Sequence, residues 1–192
     1  MPAPDPPRES ARADARRNHD AVLAAALRLL IDDPDASMRE IADASGLTRT
    51  TVYRHFPSRE ELLRALFRLV AAEIDAAMEA ATAGDPPLAE MMAAIARMSF
   101  ALDRRYRFLI GHDALAGEEA QRAGEAATLR WLTAARARGE VRDDMPAAWQ
   151  VLMVRQIAVG AVETDRSGAL DAAEAERLLT QTLIAVLTPP RD

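Results

Sequence analysis

The sequence contains no cysteine and no lysine, and aromatic residues occupy only 4% of its 192 positions. Without cysteine, the chain can form no disulfide, offers no thiolate nucleophile and cannot ligate zinc through sulfur. The scarcity of aromatics and the abundance of alanine favour closely packed helices over β-sheets. No apolar run reaches the length of a transmembrane helix, and the amino terminus does not resemble a signal peptide. These absences predict an all-α cytoplasmic protein without a membrane span.

The strongest local signal is the stretch from Ser37 to Phe56, which reads S-M-R-E-I-A-D-A-S-G-L-T-R-T-T-V-Y-R-H-F. Ser37 and Glu40 have the spacing of a capping box, and Gly46 is suited to ending a short helix. Thr48 is suited to capping a second helix that runs to about Phe56. Two short helices joined by a glycine-containing turn predict a helix-turn-helix, whose second helix enters the DNA major groove.

The net charge of −6 argues at first against a nucleic-acid partner. However, no Asp or Glu occurs between Ala44 and Arg59, so this segment can approach phosphates without like-charge repulsion. Helix-turn-helix proteins present side chains to base edges from the first turns of the second helix. The predicted base-facing residues are Thr48, Arg49, Thr50 and Thr51. Tyr53 and His55 are predicted to form hydrogen bonds with the DNA backbone.

The string L-T-R-T-T-V-Y-R-H-F-P-S-R-E-E-L-L closely resembles the signature of the TetR family of transcriptional regulators. The preceding M-R-E-I-A-D-A-S-G resembles that family's second helix, and the close match covers roughly the first third of the chain. The resemblance implies base and phosphate contacts from Thr48 to Thr51. It implies phosphate contacts from Ser37, Tyr53, His55 and Arg59. It also implies an effector pocket in a second helical domain.

Helical patterning and chain breaks predict three segments. Four prolines in the first ten residues predict a disordered basic arm over residues 1–14, which is either a solvated tail or an arm that contacts DNA. An apolar stripe that stops before Pro34 predicts a first helix, completing a three-helix DNA-binding domain over residues 15–57. Residues 58–192 are predicted to bind the effector and to dimerise. The predicted helices of this last segment span about 58–83, 86–102, 104–114, 118–138, 146–165 and 171–187.

Methionine and aromatic side chains in the middle helices are the candidates for lining the effector pocket, although such residues more often form plain core. The candidates are Met91, Ile95, Met98, Phe100, Tyr106, Phe108, His112, Trp131 and Met153. With three histidines, no cysteine and no glycine-rich phosphate loop, no catalytic constellation can be assembled. The sequence therefore predicts no enzyme activity, no cofactor and no metal site.

The predicted helix over residues 146–165 is apolar nearly all round, which predicts burial on more than one face. Its excess apolar surface and that of the last helix predict a symmetric four-helix dimer interface. The predicted interface residues are Val151, Val154, Ala158, Val162, Leu179, Leu183 and Val186.

These observations together predict a homodimeric regulator of the TetR type, a repressor that a largely apolar small molecule releases from a pseudo-palindromic operator on double-stranded DNA. Two alternatives stay open. One is an α-helical enzyme, which turnover of any substrate would support. The other is an interaction module that reuses the motif for protein contacts, which failure to bind any DNA at low salt would support.

Overall fold

The computed structural model describes residues 6–190, and none of these residues lies in a β-strand. The predicted all-α fold class is confirmed. The helices α1 to α9 span Pro6–Asp32, Met38–Ser45, Arg49–His55, Arg59–Thr82, Leu88–Tyr106, Glu118–Gln121, Glu125–Ala137, Ala147–Arg166 and Ala172–Leu187. None of the helices in this part of the chain is both long enough and apolar enough to cross a membrane.

The chain divides into two compact units. The first comprises Met1–Leu69 and Phe108–Gly117, and the second comprises Val70–Arg107 and Glu118–Asp192. The division falls within α4 rather than at the predicted boundary after residue 57. The early apolar residues of α4, such as Leu62 and Leu66, are fully buried. The first turns of α4 therefore belong to the unit that contains the helix-turn-helix.

In the first unit, α1 packs against both α2 and α3, and these two short helices also contact each other. Val22 and Leu30 of α1 are fully buried, as are Ile41 of α2 and Val52 of α3. Burying a side chain of this size stabilises the folded state by about 1.5–3 kcal/mol relative to leaving it exposed. This shared core fixes α2 and α3 on the support that α1 provides.

The helix α1 begins earlier than the sequence predicts. Disorder is predicted through residue 14, but residues 6–14 form the first part of α1. Pro6 and Pro7 are compatible with the first turn of a helix, where a backbone N–H has no partner within the helix in any case. The rest of the predicted arm, residues 1–5, lies outside the described residues.

In the second unit, α9 packs against α5 and α8, and α8 also contacts α5 and α7. The core includes Trp131, whose indole N–H donates a 2.9 Å hydrogen bond to the carbonyl of Pro86. Gln150 is fully buried, and its amide donates to the carbonyl of Arg142 while accepting from the guanidinium of Arg136. The polar groups of both buried side chains are thus satisfied, as a stable core requires.

Two predicted helices differ from the structure. The helix predicted over 104–114 is replaced by a longer α5, followed by the 3-10 turns Arg107–Leu109 and Asp113–Leu115. The helix predicted over 118–138 is broken into α6 and α7 at Gly124, which has a left-handed φ of 78°. The N–H of Gly124 donates to the Asp75 carboxylate at 2.6 Å. Glycine permits the left-handed backbone at this position, and the tertiary hydrogen bond holds the break in place.

Candidate DNA-binding surface and effector pocket

Side-chain caps define the beginnings of α2 and α3. The N–H of Ser37 donates to the Glu40 carboxylate at 2.8 Å, and the N–H of Glu40 donates to the Ser37 hydroxyl at 3.3 Å. Hydrogen bonds from the Ser37 side chain and then its backbone lower the pKa of Glu40. Gly46 ends α2 with a φ of 71°, and Thr48 caps α3. The predicted helix-turn-helix is confirmed, with Ser37 exposed but engaged as a cap.

The outward side of α3 carries groups suited to DNA. We define the α3 surface as the exposed residues Thr48, Arg49, Thr50, Tyr53 and Arg54. Thr51 is half-buried, and its hydroxyl lies 2.9 Å from that of Thr48. Because the α3 surface combines guanidinium and hydroxyl groups with no carboxylate, it suits contacts with phosphates and base edges.

Arg54 belongs to the α3 surface but is not among the DNA-binding residues predicted from the sequence. It follows Thr50 by four residues, so the two side chains lie on the same side of the helix. This spacing from Thr50, a predicted contact residue, is the feature of the sequence from which Arg54 could have been predicted. His55, which is predicted to contact the DNA backbone, lies elsewhere.

His55 does not lie on the α3 surface. Its Nε2 is buried and has no hydrogen-bond partner among the described residues. Its ring meets that of His19 on α1 edge-on, with 6.2 Å between the ring centroids. Burial and then the charges of Arg54 and His19 lower the pKa of His55. The predicted phosphate contact is therefore replaced by an interior contact between α1 and α3.

Arg59 is also directed towards the protein. One terminal guanidinium nitrogen donates to the carbonyl of Pro34 at 2.5 Å, and the other donates to the carbonyl of Ala36. Both carbonyls belong to the loop that precedes α2. Instead of the predicted phosphate contact, the side chain ties the start of α4 to the entry of α2.

A cavity of about 370 Å³ lies within the second unit, where α4, α5, α7 and α8 meet. Of the predicted pocket residues, Ile95 and Met98 line this cavity. Met91, Phe100 and Trp131 are instead buried in the core of the unit. These bulky side chains fill space between helices and do not line the cavity.

The other predicted pocket residues lie away from the cavity lining. Tyr106 donates its hydroxyl to the Glu73 carboxylate, and burial together with this bond raises the pKa of Tyr106 to about 12. Phe108 and His112 belong to the first unit. Met153 is half-buried on α8 and does not line the cavity.

The side of α8 that faces the cavity was predicted to face a second subunit. Four predicted interface residues line the cavity instead, namely Val151, Val154, Ala158 and Val162. Leu179 and Leu183 are buried in the core, and Val186 is half-buried. Because α8 is apolar on nearly every side, its periodicity does not distinguish the inner face from the outer one. The predicted interface residues are therefore corrected to core and cavity residues.

None of the polar residues that line the cavity is among the residues predicted from the sequence. Asp103 has a side chain only 3% exposed, and it accepts from Arg166 Nε at 2.7 Å. Glu125 accepts from Arg155 at 3.1 Å. The remaining polar members of the lining are Ser99 and Thr128.

A sequence model described as bacterial regulatory proteins of the tetR family matches residues 22–66, which include both helices of the motif. The transcriptional repressor LfrR from Mycolicibacterium smegmatis is 43% identical over 82 residues, which is 43% of this chain and 42% of LfrR. Residues 22–66 of the chain match the DNA-binding domain of the TetR family. The regulator EthR from Mycobacterium tuberculosis is 36% identical over 74 residues, 38% of this chain and 34% of EthR.

The match to these relatives spans less than half of their length. Solved structures extend the comparison to most of this chain. The LfrR structure in complex with proflavine has a TM-score of 0.64 at 24% identity, covering 90% of this chain and 97% of LfrR. The structure of RolR with resorcinol has a TM-score of 0.68 at 16% identity, covering 92% of this chain and 90% of RolR. At these identities the likeness shows the fold alone.

Proposed function

We propose that this protein is a homodimeric repressor of the TetR type that a small molecule releases from a pseudo-palindromic DNA operator in the cytoplasm. The α3 surface carries the proposal, because it presents cationic and hydroxyl side chains on a helix that is capped, short and supported by α1. The names of LfrR and EthR, a transcriptional repressor and a transcriptional regulator, support this role over that of an enzyme. The proflavine and resorcinol complexes support control by a small molecule.

The dimer is proposed because one recognition helix contacts only a short stretch of DNA. One such helix reads few base pairs, whereas two related by two-fold symmetry read a pseudo-palindrome. The outer side of α8 and α9 is the proposed contact, because it exposes apolar groups. Trp149 is 54% exposed, and a groove between α8 and α9 is lined by Ile157, Gly160 and Leu178. The small Gly160 permits close approach of a helix from a second copy, since helix spacing depends on the side chains at the contact.

Effector control requires a coupling free energy between the cavity and the α3 surface. The cavity of about 370 Å³ lies within the range of about 300–1,000 Å³ that is usual for small-molecule sites. We propose that a ligand in this cavity stabilises a state of the dimer with lower affinity for the operator. Repression is then lifted by the difference in ligand affinity between the two states.

The deciding experiment is a selection of random double-stranded oligonucleotides with the full chain, followed by titration of the selected sequence. The expected product is a pseudo-palindrome, and Arg49→Ala is expected to reduce both its affinity and its sequence preference. Thr133→Val, on α7 and exposed, is the control that keeps binding unchanged. Absence of binding to any DNA at low salt would overturn the repressor and favour the interaction module.

A further inference from the structure

We propose that the effector is an uncharged, largely apolar molecule of about two rings that donates an O–H or N–H hydrogen bond to the hydroxyl oxygen of Thr128 or of Ser99. The inference rests on the proposed function, because it names the ligand class of the same cavity. Three observations support it: the hydrogen bonds that the two lining hydroxyls already make, the pairing of the lining charges, and the volume of the cavity.

The two hydroxyls that line the cavity are left as acceptors. Ser99 donates its O–H to the carbonyl of Ile95 at 2.8 Å, and Thr128 donates its O–H to the carbonyl of Gly124 at 2.8 Å. A hydroxyl has one hydrogen and two lone pairs. Because the hydrogens are directed to helix carbonyls, the oxygens offer lone pairs to the cavity. A ligand group that complements them must donate.

The charges in the lining are already paired. Asp103 accepts from Arg166 inside the unit, and it also accepts from Arg107 at 2.9 Å. Glu125 accepts from Arg155. The two carboxylates and the two arginines that line the cavity cancel in formal charge. An ionised ligand would lose its hydration without gaining an unpaired counter-charge, which is strongly unfavourable. The arrangement therefore selects a neutral ligand.

The size and the remaining walls determine the body of the ligand. Ile74 and Met78 of α4, Ile95 of α5 and Val154 of α8 contribute apolar surface. An apolar protein cavity of about 150 Å³ holds one benzene ring. A cavity of about 370 Å³ therefore has room for roughly two rings and a small polar group. Apolar burial supplies the affinity, and the hydrogen bond orients the molecule.

The test uses four compounds with the same skeleton: 4-phenylphenol, its methyl ether, biphenyl-4-carboxylate and a biphenyl trimethylammonium ion. Binding to the full chain is measured by calorimetry. The phenol is expected to bind about fivefold to tenfold more tightly than the ether, since this is what one neutral hydrogen bond contributes. The carboxylate and the ammonium ion are expected to bind more weakly than both neutral compounds.

Variants locate the hydrogen bond. Thr128→Val keeps the side-chain shape and removes the acceptor, so it is expected to remove most of the preference for the phenol over the ether. Ser99→Ala is expected to reduce the same preference, and it serves if Thr128→Val does not fold. Thr133→Val is the matched control, because Thr133 is on the same helix and its hydroxyl also donates to a helix carbonyl, but it does not line the cavity.

Several results would overturn the inference: equal binding of phenol and ether, tighter binding of either ion, no binding of any compound, or a preference that survives both Thr128→Val and Ser99→Ala. The same experiments can refute the proposed function independently of the ligand class. If the phenol binds as expected while operator affinity is unchanged at saturation, the ligand class stands and effector control is refuted. If an ionised compound releases the operator, repressor control stands and the ligand class is refuted.

Discussion

At the scale of single residues, a family signature does not determine where a side chain points. Arg59 matches a family position for which phosphate contact is implied, yet its guanidinium binds the carbonyls of Pro34 and Ala36. The planar fork of arginine can donate to two carbonyls at once, whereas lysine presents a single charge. Arg59 is therefore a positioning residue for α2 in this protein.

Replacing Arg59 by lysine is expected to destabilise the first unit by about 1–3 kcal/mol, because a donor to at least one carbonyl is lost. Arg59→Ala is expected to leave the slope of DNA affinity against salt unchanged. Arg54→Ala is expected to lower that slope by about one, as a lost phosphate contact would. Urea unfolding and DNA titrations over a series of salt concentrations check these values. Full stability of Arg59→Lys, together with a reduced slope for Arg59→Ala, would restore Arg59 as a phosphate contact.

His55 makes the stability of the first unit dependent on pH. Its pKa in the folded chain is lowered below the usual value of about 6.5 by burial and then by Arg54 and His19. The unfolded chain therefore takes up a proton at higher pH than the folded chain does. The His55 contribution to stability is fully present above the unfolded pKa and is lost as the pH falls through it towards the folded pKa.

The His55→Phe variant is expected to flatten the fall in stability between about pH 7 and pH 5, because it removes the titrating group but keeps a ring. Denaturant unfolding of the wild type and the variant at several pH values in this window measures the difference. A wild-type protein that gains stability on acidification, or an unchanged dependence in the variant, would contradict this account.

At the scale of elements, the break between α6 and α7 depends on one glycine. Gly124 adopts a left-handed φ, and a Cβ at this position would lie 2.9 Å from Met78 Cγ and 3.2 Å from Ile74 Cγ2. The hydrogen bond from its N–H to Asp75 holds the beginning of α7 at this close distance. The start of α7, and with it Thr128, is thus positioned by a contact with α4.

Gly124→Ala is expected to destabilise the protein more than Gly139→Ala does. Both positions have left-handed φ values, which cost roughly 1–2 kcal/mol for alanine. Only Gly124 has neighbours within 4 Å of a new Cβ, so overpacking should add about 1–3 kcal/mol. The difference between the free energies of unfolding of the two variants, measured by chemical denaturation, gives the contribution of overpacking. Equal losses would mean that Met78 and Ile74 move aside.

At the scale of the whole molecule, the two sides of α8 have different surroundings. Val154 and its neighbours face the cavity, whereas Gly160 is exposed beside the groove with α9. The outer side is the proposed dimer contact. A substitution on the outer side is therefore expected to impair dimerisation, whereas one on the side that faces the cavity is expected to lower stability.

Gly160→Arg is expected to give folded monomers that no longer bind the operator tightly, because a charged side chain prevents the approach of a second copy. Val154→Arg is expected to lower stability by several kcal/mol, because it places an unpaired charge in a buried site. Sedimentation and circular dichroism distinguish the two outcomes. A Gly160→Arg protein that still dimerises at micromolar concentration, or a wild type that is monomeric, would refute the outer side as the interface.

Local chemistry in the sequence determined the helix-turn-helix. Ser37 with Glu40, Gly46 and Thr48 act on backbone groups within a few residues, so their spacing alone locates the ends of α2 and α3. The spacing of apolar residues at helical intervals likewise predicted an all-helical chain. These signals are short-ranged, and the tertiary structure had little to add to them.

The tertiary structure decided which way the side chains face. The inner face of α8 could not be read from a helix that is apolar nearly all round. Ser99 and Thr128 line the same cavity from two helices that are distant in the chain. Arg59 binds carbonyls more than twenty residues away. Contacts of this kind depend on how helices pack, and packing is set by the shapes of many side chains at once. The sequence alone therefore predicted the helical fold and the helix-turn-helix, while the cavity and its lining required the folded chain.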